Sequence, residues 1–165
     1  MNASKEIATM DTAVETDRIA RNIVINAPRE RVWAALANAE TFGQWFGADL
    51  SGQTFAAGQR TRGPITIPGC EHMAFDVVIE RIEAPHLMSY RWHPYPKDAS
   101  VDYSLETPTL VVFKLADADG NATVLTVEES GFDNVPPHRR LEAFRANNNG
   151  WNFQLERIAR YVTAV

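Results

Sequence analysis

Among the residues of this 165-residue chain that could do chemistry, Glu129 has the most informative spacing. It shares strand parity with Leu125 and Val127, so an unbroken alternation turns it toward an apolar interior. A carboxylate placed there without a cation has a raised pKa and can act as an acid or base, or bind an amine or hydroxyl. The competing reading puts Glu128 and Glu129 at a strand end, both in water, and the rarity of buried carboxylates favours it. Glu129 is the sharpest charged candidate for catalysis. Asn148 is the polar member of an otherwise apolar helical seam. Its amide either enters a cavity, offering a donor and acceptors to a ligand, or marks a junction between two helices. Asn147, Asn149 and Gly150 beside it are all poor helix formers, which suits the junction equally well.

Aromatic side chains supply the second signal. Trp45, Phe46, Phe75, Trp92, Phe113 and Trp151 are large enough to fill a core, and taken singly that is their ordinary use. Taken together they exceed what a core needs and suit a concave apolar pocket in which a few polar groups fix orientation. With Glu129 and Asn148 they form the expected ligand-binding set. Arg91 and His93 lie on the strand face opposite Met88, Tyr90 and Trp92, and are expected in solvent.

Several chemistries lack support. His72, His86, His93 and His138 have no metal-ligand spacing, and no metal or cofactor is expected. Cys70, the single cysteine, sits in a turn without a partner and is expected to be inert. No nucleophile elbow, phosphate loop or dinucleotide fingerprint is present. A formal net charge of -5 argues against nucleic acid as the partner. Apolar runs fall well short of the ~20 residues of a membrane span. The first residues have no signal-peptide core, so a cytoplasmic location is expected.

The elements that must position these residues read as an α+β pattern. Residues 1–16 are unpatterned and are expected to form a flexible arm before a single domain over 17–165. A strand covers Ile19 to Ile25. A short helix follows, opened by Pro28, with Val32 and Leu36 on one face. A second carries Phe42, Trp45 and Phe46 and stops at Gly47. Strands and turns run from Ala48 to Phe132, clearest at 73–82, 87–93, 109–115 and 123–129, with a hairpin turn at Asp119-Gly120. After Pro136-Pro137 the seam Leu141, Phe144, Asn148, Trp151, Leu155, Ile158, Val162 predicts one long amphipathic helix. A helix that long needs a broad apolar partner, and an antiparallel sheet of about 6–7 strands supplies it. Such a sheet curls, which leaves room beneath the helix.

Residues 25–47, INAPRERVWAALANAETFGQWFG, resemble the opening strand and paired helices of the START-like or SRPBCC superfamily. Residues 148–162, NNGWNFQLERIARYV, resemble the final helix of one group within it. That group is related to the C-terminal domain of the activator of the 90-kDa heat-shock protein ATPase, and ESGF at 129–132 resembles its turn into that helix. The resemblance implies a helix-grip fold, a curved sheet wrapped round the long helix with a cavity between. It implies first a binding role for a small hydrophobic or amphipathic molecule. A cyclase- or aromatase-like enzyme, with Glu129 and Asn148 moving protons, is the second implied reading. A chaperone-interacting module is the third, although the eukaryotic activator has a separate domain for its major chaperone contacts.

Overall fold

A computed structural model describes residues 17–164, so the arm expected at 1–16 lies outside the described residues. The elements are β1 (Arg18–Ile25), α1 (Arg29–Ala37), α2 (Ala39–Phe46), β2 (Arg60–Pro64), β3 (Ala74–Glu83), β4 (Leu87–Trp92), β5 (Thr109–Ala118), β6 (Ala122–Ser130) and α3 (Pro137–Thr163). The strands form one six-stranded sheet in the order β1-β6-β5-β4-β3-β2, antiparallel throughout. The sheet is curved and α3 lies along its inner face, a helix-grip arrangement in the α+β class.

Local chemistry accounts for the breaks. Asn38 accepts a hydrogen bond from the Thr41 backbone N–H and caps α2, while Gly47 ends it in the left-handed region at φ 99°. The β5–β6 hairpin turns through Gly120 and Asn121, both at positive φ. Alternation along the strands puts Ile19, Tyr90, Val111 and Glu129 on the inner face, where Tyr90 pairs with Val111, Val111 with Glu129, and Glu129 with Ile19.

At the α2 end the grip is filled. Phe42 packs against Trp45, Phe46, Phe55, Phe75, Tyr90 and Phe113, with ring centroids between 4.7 and 6.3 Å. Such pairs add about 0.5–1.5 kcal/mol each beyond their burial. Trp45 belongs to this packed end: it is buried and its indole donates to the Ala35 carbonyl at 2.9 Å.

The helix α3 runs unbroken through Asn147 to Gly150 over 27 residues. The two-helix reading of that cluster is therefore corrected; burial on both sides of the cluster carries the helix through it. The seam also shifts. Its buried members are Ala143, Trp151, Gln154, Leu155, Ile158 and Val162, while Leu141 stays 55% exposed. The first turns are held by ion pairs instead. Arg139 and Glu106 form a bidentate pair, Arg139 also donates to the Pro94 carbonyl at 2.8 Å, and Lys97 meets Glu142 at 2.8 Å. These contacts tie the 93–108 connection to the helix start.

Candidate functional site

The site begins at the end of β6. Glu129 is fully buried, which corrects the strand-end reading that placed it in water. It stays out of water because α3 and β4 both close over it. Its Oε1 accepts from Asn147 Nδ2 at 2.8 Å and from Trp151 Nε1 at 2.9 Å. Its Oε2 accepts from Trp92 Nε1 at 2.8 Å and from Thr109 Oγ1 at 2.6 Å. A carboxylate has about four lone-pair positions, and these four neutral donors occupy them. Burial pushes the Glu129 pKa up, and the hydrogen bonds from Thr109, Trp92, Trp151 and Asn147 oppose the rise without cancelling it. Thr109 also lies 3.4 Å from the Trp92 carbonyl oxygen, so its hydroxyl has a second acceptor when the carboxyl takes a proton.

Each donor is positioned by its element. Trp92 and Thr109 are direct partners in the β4–β5 ladder. Asn147 and Trp151 stand four apart on α3, one above the other on one face. The Trp92 and Trp151 rings then stack, 5.8 Å apart at 27°. The carboxylate thus fixes both indoles edge-on; Trp151 is buried, and Trp92 packs against Phe46, Phe75 and Tyr90 as well.

Both tryptophans border a recess of about 750 Å³. Its inner wall is Phe46, Phe75, Trp92, Asn147, Gly150, Trp151 and Gln154, and its rim includes Ile65, Met73, Tyr95 and Tyr103. Outward-facing Arg60, Arg62 and Asp76 border its far side, with Arg60 paired to Asp76 at 2.6 Å. His93 also borders it. Its Nδ1 is buried without a hydrogen-bond partner, and burial lowers its pKa, so it is not the freely solvated residue expected. Arg91 is exposed and paired to Glu80 at 2.7 Å.

Of the expected binding residues, Phe46, Phe75, Trp92 and Trp151 border the recess. Phe113 lies behind it, edge-on to Trp151 at 5.7 Å, and Trp45 lies in the packed end. Glu129 backs the wall rather than lining it. Asn148 is turned away: its Oδ1 accepts from Arg21 of β1, whose Nε also reaches Asn152. The amide in the recess wall is Asn147. Both asparagines fit between Phe144 and Trp151 at helical spacing, one as three then four residues, the other as four then three, and periodicity alone cannot separate them. Thr109, Gly150 and Gln154 join the site without belonging to the expected binding set. Thr109 has the parity of Val111 and Phe113, and Gly150 and Gln154 follow Asn147 by three and seven residues, so the same two periods could have found them.

Among the described residues no group of three or more His, Cys, Asp or Glu side chains is placed to hold a metal ion. Nor is any helix among them long and apolar enough to cross a membrane.

A curved antiparallel sheet clasping a C-terminal helix, with two short helices after the first strand, places the protein in the START-like (SRPBCC) class. Residues 26–163 match the family described as "Activator of Hsp90 ATPase homolog 1-like protein", and the chain belongs to that family. No curated protein matches it in sequence. Among solved structures it is similar to protein MLL2253 from Mesorhizobium loti, at 22% identity, TM-score 0.67, covering 90% of this chain and 99% of that one. It is also similar to the Aha1 dimer from Colwellia psychrerythraea, at 16% identity, TM-score 0.64, covering 89% and 96%. CalU16 from Micromonospora echinospora is similar at 18% identity, TM-score 0.58, covering 89% and 76%. Likeness at these identities is a likeness of fold.

Proposed function

We propose that the chain binds a small, largely apolar or amphipathic molecule in the recess between β3–β4 and α3. The observation that carries this reading is the pair of indoles locked edge-on by Glu129, with Asn147 beside them, at the wall of a 750 Å³ recess. Small-molecule sites are concave, mostly apolar and about 300–1,000 Å³, with few polar groups whose directions are fixed in advance. Locking the rings in place lowers the ordering cost of binding. Glu129 serves here as a positioning residue: its oxygens are engaged by protein donors, and it acts on a ligand through the side chains it holds.

The test is heteronuclear NMR of the tryptophan indole N–H signals during titration with a panel of planar aromatic alcohols and medium-chain fatty acids. Saturable shifts at Trp92 and Trp151, with Trp33 and Trp45 unmoved, are expected. Shifts confined to Trp33 or Trp45, or none across the panel, would reject the recess as the binding site.

A further inference from the structure

Gly150 stands in the interior of α3, where glycine weakens a helix by roughly 1 kcal/mol against alanine. The fold gives no reason for it. A Cβ built there meets nothing within 4 Å, so no neighbour in the chain demands the missing side chain. Gly150 does border the recess, between Asn147 one turn before and Gln154 one turn after. Gln154 is 7% exposed; its Nε2 donates to the Phe46 carbonyl at 2.9 Å, and its Oε1 is buried with no hydrogen-bond partner. That bond also fixes which end of the amide is which, since the Phe46 carbonyl can only accept. A bare stretch of helix backbone thus lies between Asn147 and Gln154 at the recess wall, and beneath it Gln154 holds a buried acceptor with no partner.

We propose that Gly150 and Gln154 are the specificity-determining residues of the recess, and that they select a flat, mostly apolar molecule bearing a hydroxyl or amino donor. The flat body lies against the helix backbone at Gly150, a space that any side chain would take. The donor is delivered toward Gln154, where it satisfies the orphan oxygen, with Trp92 at the wall beside it. A buried acceptor left empty penalises a molecule of the same shape that lacks the donor. This assignment rests on the recess being a binding site, and the probes are chosen to separate the two claims.

The probes are naphthol and its methyl ether, nearly equal in shape, of which only naphthol donates a hydrogen bond. Backbone and side-chain amide NMR is followed on the wild type, Gly150→Ala and Gln154→Met. Naphthol should shift the Gly150 backbone and Gln154 side-chain amides and bind about tenfold more tightly than the ether. Gln154→Met should bind the two equally. Gly150→Ala should raise Tm by about 2–4 °C while weakening naphthol about tenfold. Opposite signs in stability and binding separate a ligand contact from a folding defect, and Gly150→Ala keeps the test valid if Gln154→Met folds poorly. If both probes shift Trp92 and Trp151 equally and Gly150→Ala binds like wild type, the selectivity assignment falls while the recess remains a binding site. If neither probe shifts any recess residue, this assignment is overturned and the wider panel decides the recess itself.

Discussion

Replacing Glu129 by glutamine should destabilise the protein most in acid, and less as pH rises. In the native site Trp92 Nε1, Trp151 Nε1 and Asn147 Nδ2 can only donate, whereas the Thr109 hydroxyl can also accept. A protonated Glu129 satisfies all of them by aiming its proton at Thr109 while its remaining lone pairs accept the other three. Glutamine has a single oxygen. With that oxygen kept on Asn147 and Trp151, its NH2 group faces Thr109 and Trp92, and one N–H meets the Trp92 N–H head-on. One buried indole donor is left without an acceptor, which costs about 1–3 kcal/mol. In a domain of this size that is roughly 2–4 °C of Tm per kcal/mol. The wild-type carboxyl has its own dependence. Because burial raises its native pKa, the folded state keeps a proton that the unfolded chain has already released. Wild-type stability therefore falls as pH rises from the ordinary carboxylate range through the raised native value. Glutamine does not titrate, so the gap between the two proteins is widest in acid and narrows above it. Urea denaturation of both across a pH series measures the gap directly. A gap that widened with pH, or a variant as stable as wild type in acid, would refute the reasoning.

Trp151→Phe should show the opposite trend: it keeps a ring against Trp92 but removes a donor that the ionised carboxylate needs, so its cost of about 1.5–3 kcal/mol should grow with pH in the same denaturation series. Glu106→Gln should break the pair with Arg139, whose side chains are each 11% exposed; a loss of about 3–5 kcal/mol is expected, with faster amide exchange at 94–106 as the local signature. Gly47→Ala should lower Tm, because the position is at φ 99° and the added Cβ would lie 2.6 Å from Ile67 Cγ1; the left-handed conformation alone costs roughly 1–2 kcal/mol.

The fold was legible because its main devices are local. Pro28, the 42–45–46 aromatic spacing, Gly47 and the Asp119-Gly120 turn each act within a few residues. The strand β2 was harder to see, since Arg60-Thr61-Arg62-Gly63-Pro64 carries charge, glycine and proline in a strand formed by pairing with β3. The site was half legible. Parity gave Glu129 its inward direction, but its depth depends on the roof that Trp92 and α3 form over it. That roof joins elements far apart in sequence. A seam through Leu141, which is exposed, selects Asn148, whereas one through the buried Ala143 selects Asn147. The rim residues Tyr95 and Tyr103 enter through a connection with no periodic signal.

One consequence of the sheet order concerns how the chain assembles. The strands β2 to β6 follow one another as neighbours in both sequence and space, so each can zip onto its predecessor as soon as it exists. The opening strand cannot. Arg18 finds its partner at Ser130 and Ile25 at Thr123, and Arg21 then reaches Asn148 and Asn152 near the far terminus. Closing so long a loop is slow, because its entropy is lost before any contact returns it. During synthesis β1 is therefore secured only after β6 has been made, some hundred residues later.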